Sequence, residues 1–589
     1  MKSFIARGFN IKSHSKHSLF VFLLILGLIP LPVFAAPPDA GQILSEQTQE
    51  HLPLQTIPDI GVNLQKEAVN ESVEGSKVKV HAFRFVGDVK NLKEAKLQQL
   101  LKKHLEKELS FSDLQQAAES VSQFLRNKGY RFAKAYLTSQ EIKDGVVEIT
   151  ILLGKIEEGN EGIIINGTKL RLKENKIRQI LSQAIKRDPY LKMENLERGL
   201  LILNDYPEIS ARASLEAGKT PGTTQLTADV IEGHFLTGNF STDNFGNRYT
   251  GSQRYSTQVN VNDPFGRGDQ ATIDFTGSDK LNLVKTGYSV PLGFSGLRVG
   301  GGYTELAYQI GKEFADLHAH GIARTANANA SYPFIRTQNK SLYGTFDYEY
   351  KALKDVSQGV VLDNKRVNAE TVALNGNLQD TFVGGGLNYF RTAVTTGDLD
   401  LARISTNVVS DQTSAKTQGG YTKFNYNFVR LQRLFDNWAF FAAINGQVAD
   451  KNLDSSEKFI LGGPAGVRAY PVGEGSGDQG WVSNLELRYD VPWKFKFGNC
   501  QLVGFYDTGD VVKNRRTWSG WNSGNPNQPN HYNLSGTGVG LNFFKTKSHA
   551  LRLSYAWTLG SNPGQTAAGL DSDGKHKGGR FWLQFLLYF

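Results

Sequence analysis

Cysteine is almost missing from this 589-residue chain, in which Cys500 stands alone. No internal disulfide can form, and thiol metal clusters are excluded. A chain so poor in cysteine fits an envelope protein that avoids mispairing in an oxidising compartment. A long apolar run is missing as well. Leu19–Leu28 falls short of the roughly 20 residues that a spanning helix needs, and Pro30 and Pro32 follow it. Strong net charge is also lacking. The formal charge is +9, but the first 35 residues hold Lys2, Arg7, Lys12 and Lys16 and no acid, and +5 remains without them. That residue, spread over so long a chain, gives no argument for nucleic acid as a partner.

Catalytic and cofactor patterns are missing in turn. Gly462, Gly463 and Gly466 are followed by no Lys-Ser/Thr pair, so they make no phosphate-binding loop. Asp571-Ser-Asp-Gly574 resembles the start of a calcium loop, but the twelfth position is Trp582 and not a bidentate glutamate, which makes it a surface turn. The 11 histidines show no metal-ligand spacing. No nucleophile-elbow pattern supports a serine hydrolase. The chain reads as no enzyme, with no cofactor and no metal.

What is present is glycine (61), tyrosine (22) and phenylalanine (35), a mixture suited to many strands joined by turns. Residues 1–35 read as a secretory signal, with a basic stretch, the short apolar run and a cut after Ala35. Residues 36–75 form a polar linker. Within it, 40–50 is either a short plug helix or plain linker, because an isolated helix of that length is marginal without a surface to pack on.

Two compact units follow, at 76–154 and 155–233. In the first, Val78–Val86 alternates with period two, helical patterns cover Leu92–Leu105 and Ser112–Lys128, and strands follow at Arg131–Thr138 and Val146–Leu153. The second repeats the order. Its strand Gly162–Asn166 precedes helices Glu174–Lys186 and Lys192–Asn204, then strands Ala211–Glu216 and Gln225–Ile231. Three-strand sheets of this kind have open edges, which either dock an extended peptide or merely end a rigid spacer.

From 234 to 589 the pattern becomes segments of about ten residues that alternate apolar with polar. Ala271, Ile273 and Phe275 oppose Gln270, Thr272 and Asp274, and Leu485, Leu487 and Tyr489 oppose Glu486, Arg488 and Asp490. A strand charged along one face needs a wet interior on that side. Sixteen such segments can be placed, an even number that puts both barrel ends on one side of a membrane. The last strand presents Phe581, Leu583, Phe585, Leu587 and Phe589 on one face, a sticky edge unless a barrel closes over it. The expected fold is a transmembrane β-barrel of 16 antiparallel strands preceded by two α+β domains.

Several segments together resemble one family, the TpsB transporters of two-partner secretion (ShlB/FhaC/HecB-like haemolysin secretion/activation proteins). These belong to the outer-membrane barrels that carry polypeptide-transport-associated (POTRA) domains. Gly129–Leu137, Asp144-Gly145 and Leu153–Ile156 resemble one POTRA domain, and Leu196–Pro207 resembles its companion. Asp243–Gly251 and Ser331–Arg336 are similar to barrel segments of the family. The glycine-dense stretch Phe459–Tyr470 is similar to the superfamily's long sixth surface loop, which folds back into the lumen. Its tip motif reads Val467-Arg468-Ala469-Tyr470 here, with alanine at the usual glycine, and a positive φ there would strain the turn. The companion strand motif is Phe505-Tyr-Asp507-Thr-Gly509.

The resemblance implies outer-membrane translocation of a large secreted partner (a TpsA-like exoprotein, whether adhesin, haemolysin or similar). POTRA domains in the periplasm would recognise it, and it would pass through the barrel without ATP. It implies contact with outer-membrane lipids and with the barrel-assembly machinery during biogenesis, and no nucleic acid. The loop lock would comprise Val467, Arg468, Tyr470, Phe505, Asp507 and Gly509, with Arg468 docked on Asp507. The alternative is an assembly factor that inserts other membrane proteins, although such factors usually carry more than two POTRA units. A passive porin would leave both units unemployed.

Overall fold

The computed structural model describes residues 37–48, 62–64 and 77–589, except 91, 160, 221 and 494. The expected secretory signal and most of the segment 36–75 lie outside the described residues. Within that segment two pieces are described: a helix, α1 (Ala40–Thr48), and a short strand at Val62–Leu64.

The first unit places α2 (Glu94–Leu101) and α3 (Phe111–Asn127) on a sheet in which Val146–Leu152 lies between Ala82–Gly87 and Lys134–Tyr136. Ser110 and Asp113 cap the start of α3 reciprocally, satisfying backbone donors that helix geometry leaves free. The alternating run expected as one strand, Val78–Val86, divides at His81. Its first part, Val78–Val80, pairs with Lys107–Leu109, while the His81 amide turns to the Gly145 carbonyl (2.8 Å). Phe83, Leu97, Leu101, Val121 and Ile149 fill the core. Each such burial contributes about 1.5–3 kcal/mol relative to exposure.

The second unit packs α4 (Glu174–Ile185) and α5 (Met193–Asn204) on a sheet containing Ile163–Asn166, Ile209–Ala217 and Thr223–Glu232. This sheet has five strands and not the three expected. Lys155–Ile156 extends one side, and Val62–Leu64 lies parallel to Ile209–Ala217 on the other, with Val62 opposite Ala213. The edge expected to be open is therefore taken by the chain's own amino-terminal segment. The two units meet through Tyr130 and Tyr190, edge to face at 6.4 Å, with Lys192 over the first ring and Lys155 over the second.

Beyond these units the chain closes into one antiparallel barrel of 16 strands. They are β1 (Leu236–Asp243), β2 (Arg254–Asn262), β3 (Gln270–Ser278), β4 (Leu281–Leu292), β5 (Leu297–Gln309), β6 (His320–Arg336), β7 (Lys340–Ser357) and β8 (Val360–Asp380). The second half comprises β9 (Gly386–Asp400), β10 (Gly419–Arg433), β11 (Trp438–Ala449), β12 (Gln479–Asp490), β13 (Asn499–Val512), β14 (His531–Lys545), β15 (His549–Leu559) and β16 (Gly579–Tyr588). Closure pairs Asn239–Asp243 of β1 with Gln584–Tyr588 of β16. Phe589 and Gly238 exchange two backbone hydrogen bonds at the seam's end. Outward positions such as Ile273, Phe275, Val372, Leu374, Phe581 and Leu587 are exposed and apolar, the pattern of a lipid-facing band. At 18 and 21 residues, β7 and β8 are about twice the length that a membrane crossing needs, so this wall continues past the lipid.

The second unit sits against one mouth of the barrel. Arg336 makes a two-pronged contact with Asp205 (2.7 and 3.0 Å), and Tyr343 donates to the same carboxylate (3.0 Å). Arg198 donates to the Pro333 carbonyl (2.6 Å), and Lys176 to the Arg267 carbonyl (2.7 Å). Both barrel termini lie at this mouth. The loop that carries Phe459–Tyr470 leaves β11 at the opposite end and folds inward.

Candidate functional site

Inward-folding polypeptide can stay in a water-filled lumen only if the wall holds it. The loop 450–478 meets the wall at a small apolar contact, at Arg468 and at charged residues of its neck. Leu461, Val467, Ala469 and Tyr470 are buried against Val482, Phe505, Val511 and Leu534. Two short strands, Phe459–Ile460 and Ser476–Gly477, pair across the loop's neck, and the Val467 amide donates to the Leu461 carbonyl (2.8 Å), which tightens the tip.

Arg468 reaches into a carboxylate cradle. Its Nε donates to Asp507 Oδ2 (2.8 Å), its Nη2 to Asp507 Oδ1 (2.7 Å), and its backbone amide also to Oδ2 (3.1 Å). The remaining guanidinium edge donates to Glu486 Oε1 (2.7 Å). The flat face lies over the Phe505 ring, 3.5 Å from its centroid. Planar, two-pronged and stacked contacts are the ones that arginine makes and lysine does not. Burial works against a charged Arg468, yet Asp507 and Glu486 raise its pKa above the ordinary arginine value. Asp507 is 0% exposed and also accepts from Asn484 Nδ2 (2.8 Å). Trp582 Nε1 donates to the Arg468 carbonyl (2.7 Å), tying the tip to the last strand.

Of the six residues expected at the lock, Arg468, Phe505 and Asp507 meet directly. Gly509 acts through space: a side chain there would meet Leu461 Cδ1 at 2.4 Å, so its absence admits the loop. Val467 and Tyr470 are buried in the loop's apolar contact. Ala469 corrects the expectation of strain, because it does not adopt a left-handed conformation. Its methyl group faces Gly536, where an added Cβ would lie 2.5 Å away. Gly538 likewise leaves room for the Phe505 ring.

Glu486, Asn484 and Trp582 were missed as site residues, although strand parity puts Glu486 on the same polar face as Arg488. Arg488 in turn donates to Glu486 Oε2 from Nε (2.8 Å) and stacks over Phe441. The loop's neck has a second anchor in Glu457. Burial alone would raise its pKa, but Lys351 and Lys423, each 2.9 Å away, hold it well below the ordinary value.

The helix α1 is the second inward element. Asp39 caps it by accepting from the Gln42 amide (2.8 Å). Ala40, Ile43 and Leu44 pack on Tyr249, Leu281, Leu306, Tyr308 and Leu353 of the barrel, which is the surface that a nine-residue helix needs. Gly41 lies so close to Ser455 and Ser456 that a side chain would collide with the loop's neck. Glu46 accepts from Asn247 Nδ2 (3.0 and 3.2 Å), and Gln47 accepts from Arg254 Nη1 (2.7 Å). Loop and helix together occupy the lumen. Between the loop and the mouth that faces the second unit lies a cavity of about 1080 Å³, lined by Arg336, Arg488, Asn542, Arg552 and Gln584 among others. The loop and the helix thus stand over a polar vestibule to which Arg336, Arg468, Arg488 and Arg552 bring positive charge.

Known proteins resemble this arrangement along most of its length. Residues 222–543 match the haemolysin secretion/activation protein family ShlB/FhaC/HecB, and residues 78–154 match the ShlB-type POTRA domain. The heme/hemopexin transporter protein HuxB of Haemophilus influenzae (strain 86-028NP) is 31% identical over 509 residues, covering 84% of each chain. The outer membrane transporter CdiB of Dickeya dadantii (strain 3937) is 22% identical over 420 residues, covering 69% of this chain and 72% of that one. Among solved structures, CdiB from Escherichia coli superposes with a TM-score of 0.70 at 16% identity, over 94% of this chain and 96% of that one, a likeness of fold.

Proposed function

The chain belongs to the haemolysin secretion/activation protein family ShlB/FhaC/HecB, and from that membership we propose that Arg468 and α1 are the two closures that a passing partner must release. It is an outer-membrane transporter of a secreted partner protein, with its POTRA domains in the periplasm. The observation that carries the closure reading is the position of both elements inside one lumen, each held to the wall by a small apolar patch and a few polar contacts. A partner reaching the second unit meets a sheet edge that Val62–Leu64 already occupies. Adding a partner strand there competes with the segment that follows α1, which couples recognition to the plug.

The greater identity to the heme/hemopexin transporter than to the CdiB relatives favours a haem- or hemopexin-handling exoprotein as the partner over an adhesin or a toxin. The outward apolar band suits outer-membrane lipid, and the aromatic terminus at Phe589 suits recognition by the barrel-assembly machinery.

Secretion assays test the closure reading. Asp507→Asn leaves Arg468 half-paired and costs about 3–5 kcal/mol of loop docking. Secretion should fall, and proteolysis within 450–478 should rise. An Arg468→Asp, Asp507→Arg double exchange that recovers secretion supports direct pairing, whereas unchanged secretion in Asp507→Asn rejects the closure. Comparing the proteins released with and without the transporter identifies the partner, and a released protein with no affinity for haem or hemopexin rejects that choice.

A further inference from the structure

The amino-terminal end of α1 rests among four carboxylates and a single ammonium. Lys365 Nζ lies 2.7 Å from Asp454, 3.1 Å from Asp363 and 3.3 Å from Asp39. Asp355 is not among its partners. One oxygen of Asp355, Oδ1, accepts from the Ala40 amide (3.1 Å) and from the Tyr308 hydroxyl. Its other oxygen, Oδ2, is buried and has no hydrogen-bond partner, in a residue only 8% exposed. A buried carboxylate oxygen without a donor is costly. One oxygen each of Asp39, Asp355 and Asp363 lies within 4.8 Å of the other two.

We propose that Asp39, Asp355 and Asp363 form a site for a hard divalent cation of the calcium class, which ties the amino-terminal end of α1 to the barrel wall. Lys365 neutralises one of the four carboxylates and leaves the set strongly anionic. Oxygen-only donors with variable spacing suit calcium, whose coordination is flexible and is completed by water. Ser455 already orients Asp39 (2.6 Å) and Tyr308 orients Asp355, the second layer that a cation site requires. Asp39 and Asp363 keep 34% and 24% of their side chains exposed, giving a path from the surface. Two ligands lie at the outer ends of β7 and β8, while the third belongs to the helix, so the cation would bridge wall and plug.

Binding can be read without transport. The full-length protein in detergent, stripped with EDTA, is titrated with calcium by calorimetry and with terbium by luminescence, with calcium competing. One ion per chain is expected, with half-saturation at or below about 1 mM, the range of extracellular calcium modules. Asp363→Asn and Asp355→Asn, each nearly isosteric and checked by the unchanged melting of the barrel, should each weaken binding at least about tenfold. Deleting residues 37–48, which removes Asp39, should do the same. Lys365→Gln should bind more tightly, since the carboxylates lose their resident ammonium. Absence of calcium binding, equal affinity in Asp363→Asn, or equal affinity in the deletion overturns the site and leaves the transport function untouched.

Discussion

At the scale of single residues, the loop tip and the wall are fitted by the absence of atoms. Gly536 sits opposite the Ala469 methyl, and a Cβ at Gly536 would lie 2.5 Å from it. Gly536→Ala is therefore expected to lift the tip, weakening docking by about 1–3 kcal/mol as overpacking does. Ala469→Gly on that background should return most of the loss, although the Trp557 carbonyl, 3.0 Å from the added carbon, keeps a remainder. Limited proteolysis of the loop in the two single variants and the double variant measures the coupling, and additive effects would refute direct contact. Motif and strand parity made Arg468 and Asp507 legible as a pair. Parity put Glu486 on the polar face, opposite Leu485 and Leu487, but nothing in the motif marked it as a partner of Arg468. The conformation of Ala469 was not legible, because a sequence does not carry φ and the residue that makes alanine tolerable is 67 positions away, at Gly536.

At the scale of elements, α1 was undecidable from its own residues. A nine-residue helix gains little alone, and its stabilising surface comes from Tyr249, Leu281 and Leu306, more than 200 residues downstream. The strand at Val62–Leu64 was hidden for a similar reason: three residues show no period, and the edge of Ile209–Ala217 supplies the pairing. The helix also carries a pH response. Burial is the main cause raising the Glu46 pKa from 4.5 to about 7, opposed by hydrogen bonds from Gln42 and Asn247, with Asp39 adding to the rise and Arg254 subtracting. A carboxyl whose pKa rises on docking takes up a proton as the helix seats. Docking is then fully favoured below about 4.5 and weakens as pH climbs through about 7, by on the order of 3 kcal/mol in all. Channel conductance in planar bilayers should show more open events at pH 8 than at pH 5.5. Glu46→Gln, neutral at both values, should show the low-pH behaviour throughout, and a variant that keeps the pH dependence would remove Glu46 from the account.

At the scale of the whole molecule, alternation and strand number were enough for the barrel, and the strand-helix-helix-strand-strand order for the two units before it. How the second unit meets the barrel was not readable, because the contact joins Asp205, at the end of α5, to Arg336 and Tyr343 on separate strands. The geometry matters for transport: it sets where an extended partner leaves the recognition sheet and enters the vestibule. Arg336 and Tyr343 converge on one carboxylate, and Arg198 and Lys176 add bonds to the Pro333 and Arg267 carbonyls, so Asp205 carries the charged part of the joint. Asp205→Ala leaves Arg336 without its partner beneath the barrel, costing about 3 kcal/mol or more because the lost pair is partly buried. The second unit should then sample positions away from the mouth, while the melting temperature of the barrel stays unchanged. Because Cys500 is the only cysteine and is buried, spin labels at introduced cysteines on α4 and on the turn after β8 can report the separation without a competing site. A broadened distance distribution with reduced secretion is expected in Asp205→Ala. An unchanged distribution would mean that the apolar contact of Ile202 and Pro333 around Gly296 holds the joint without the ion pair.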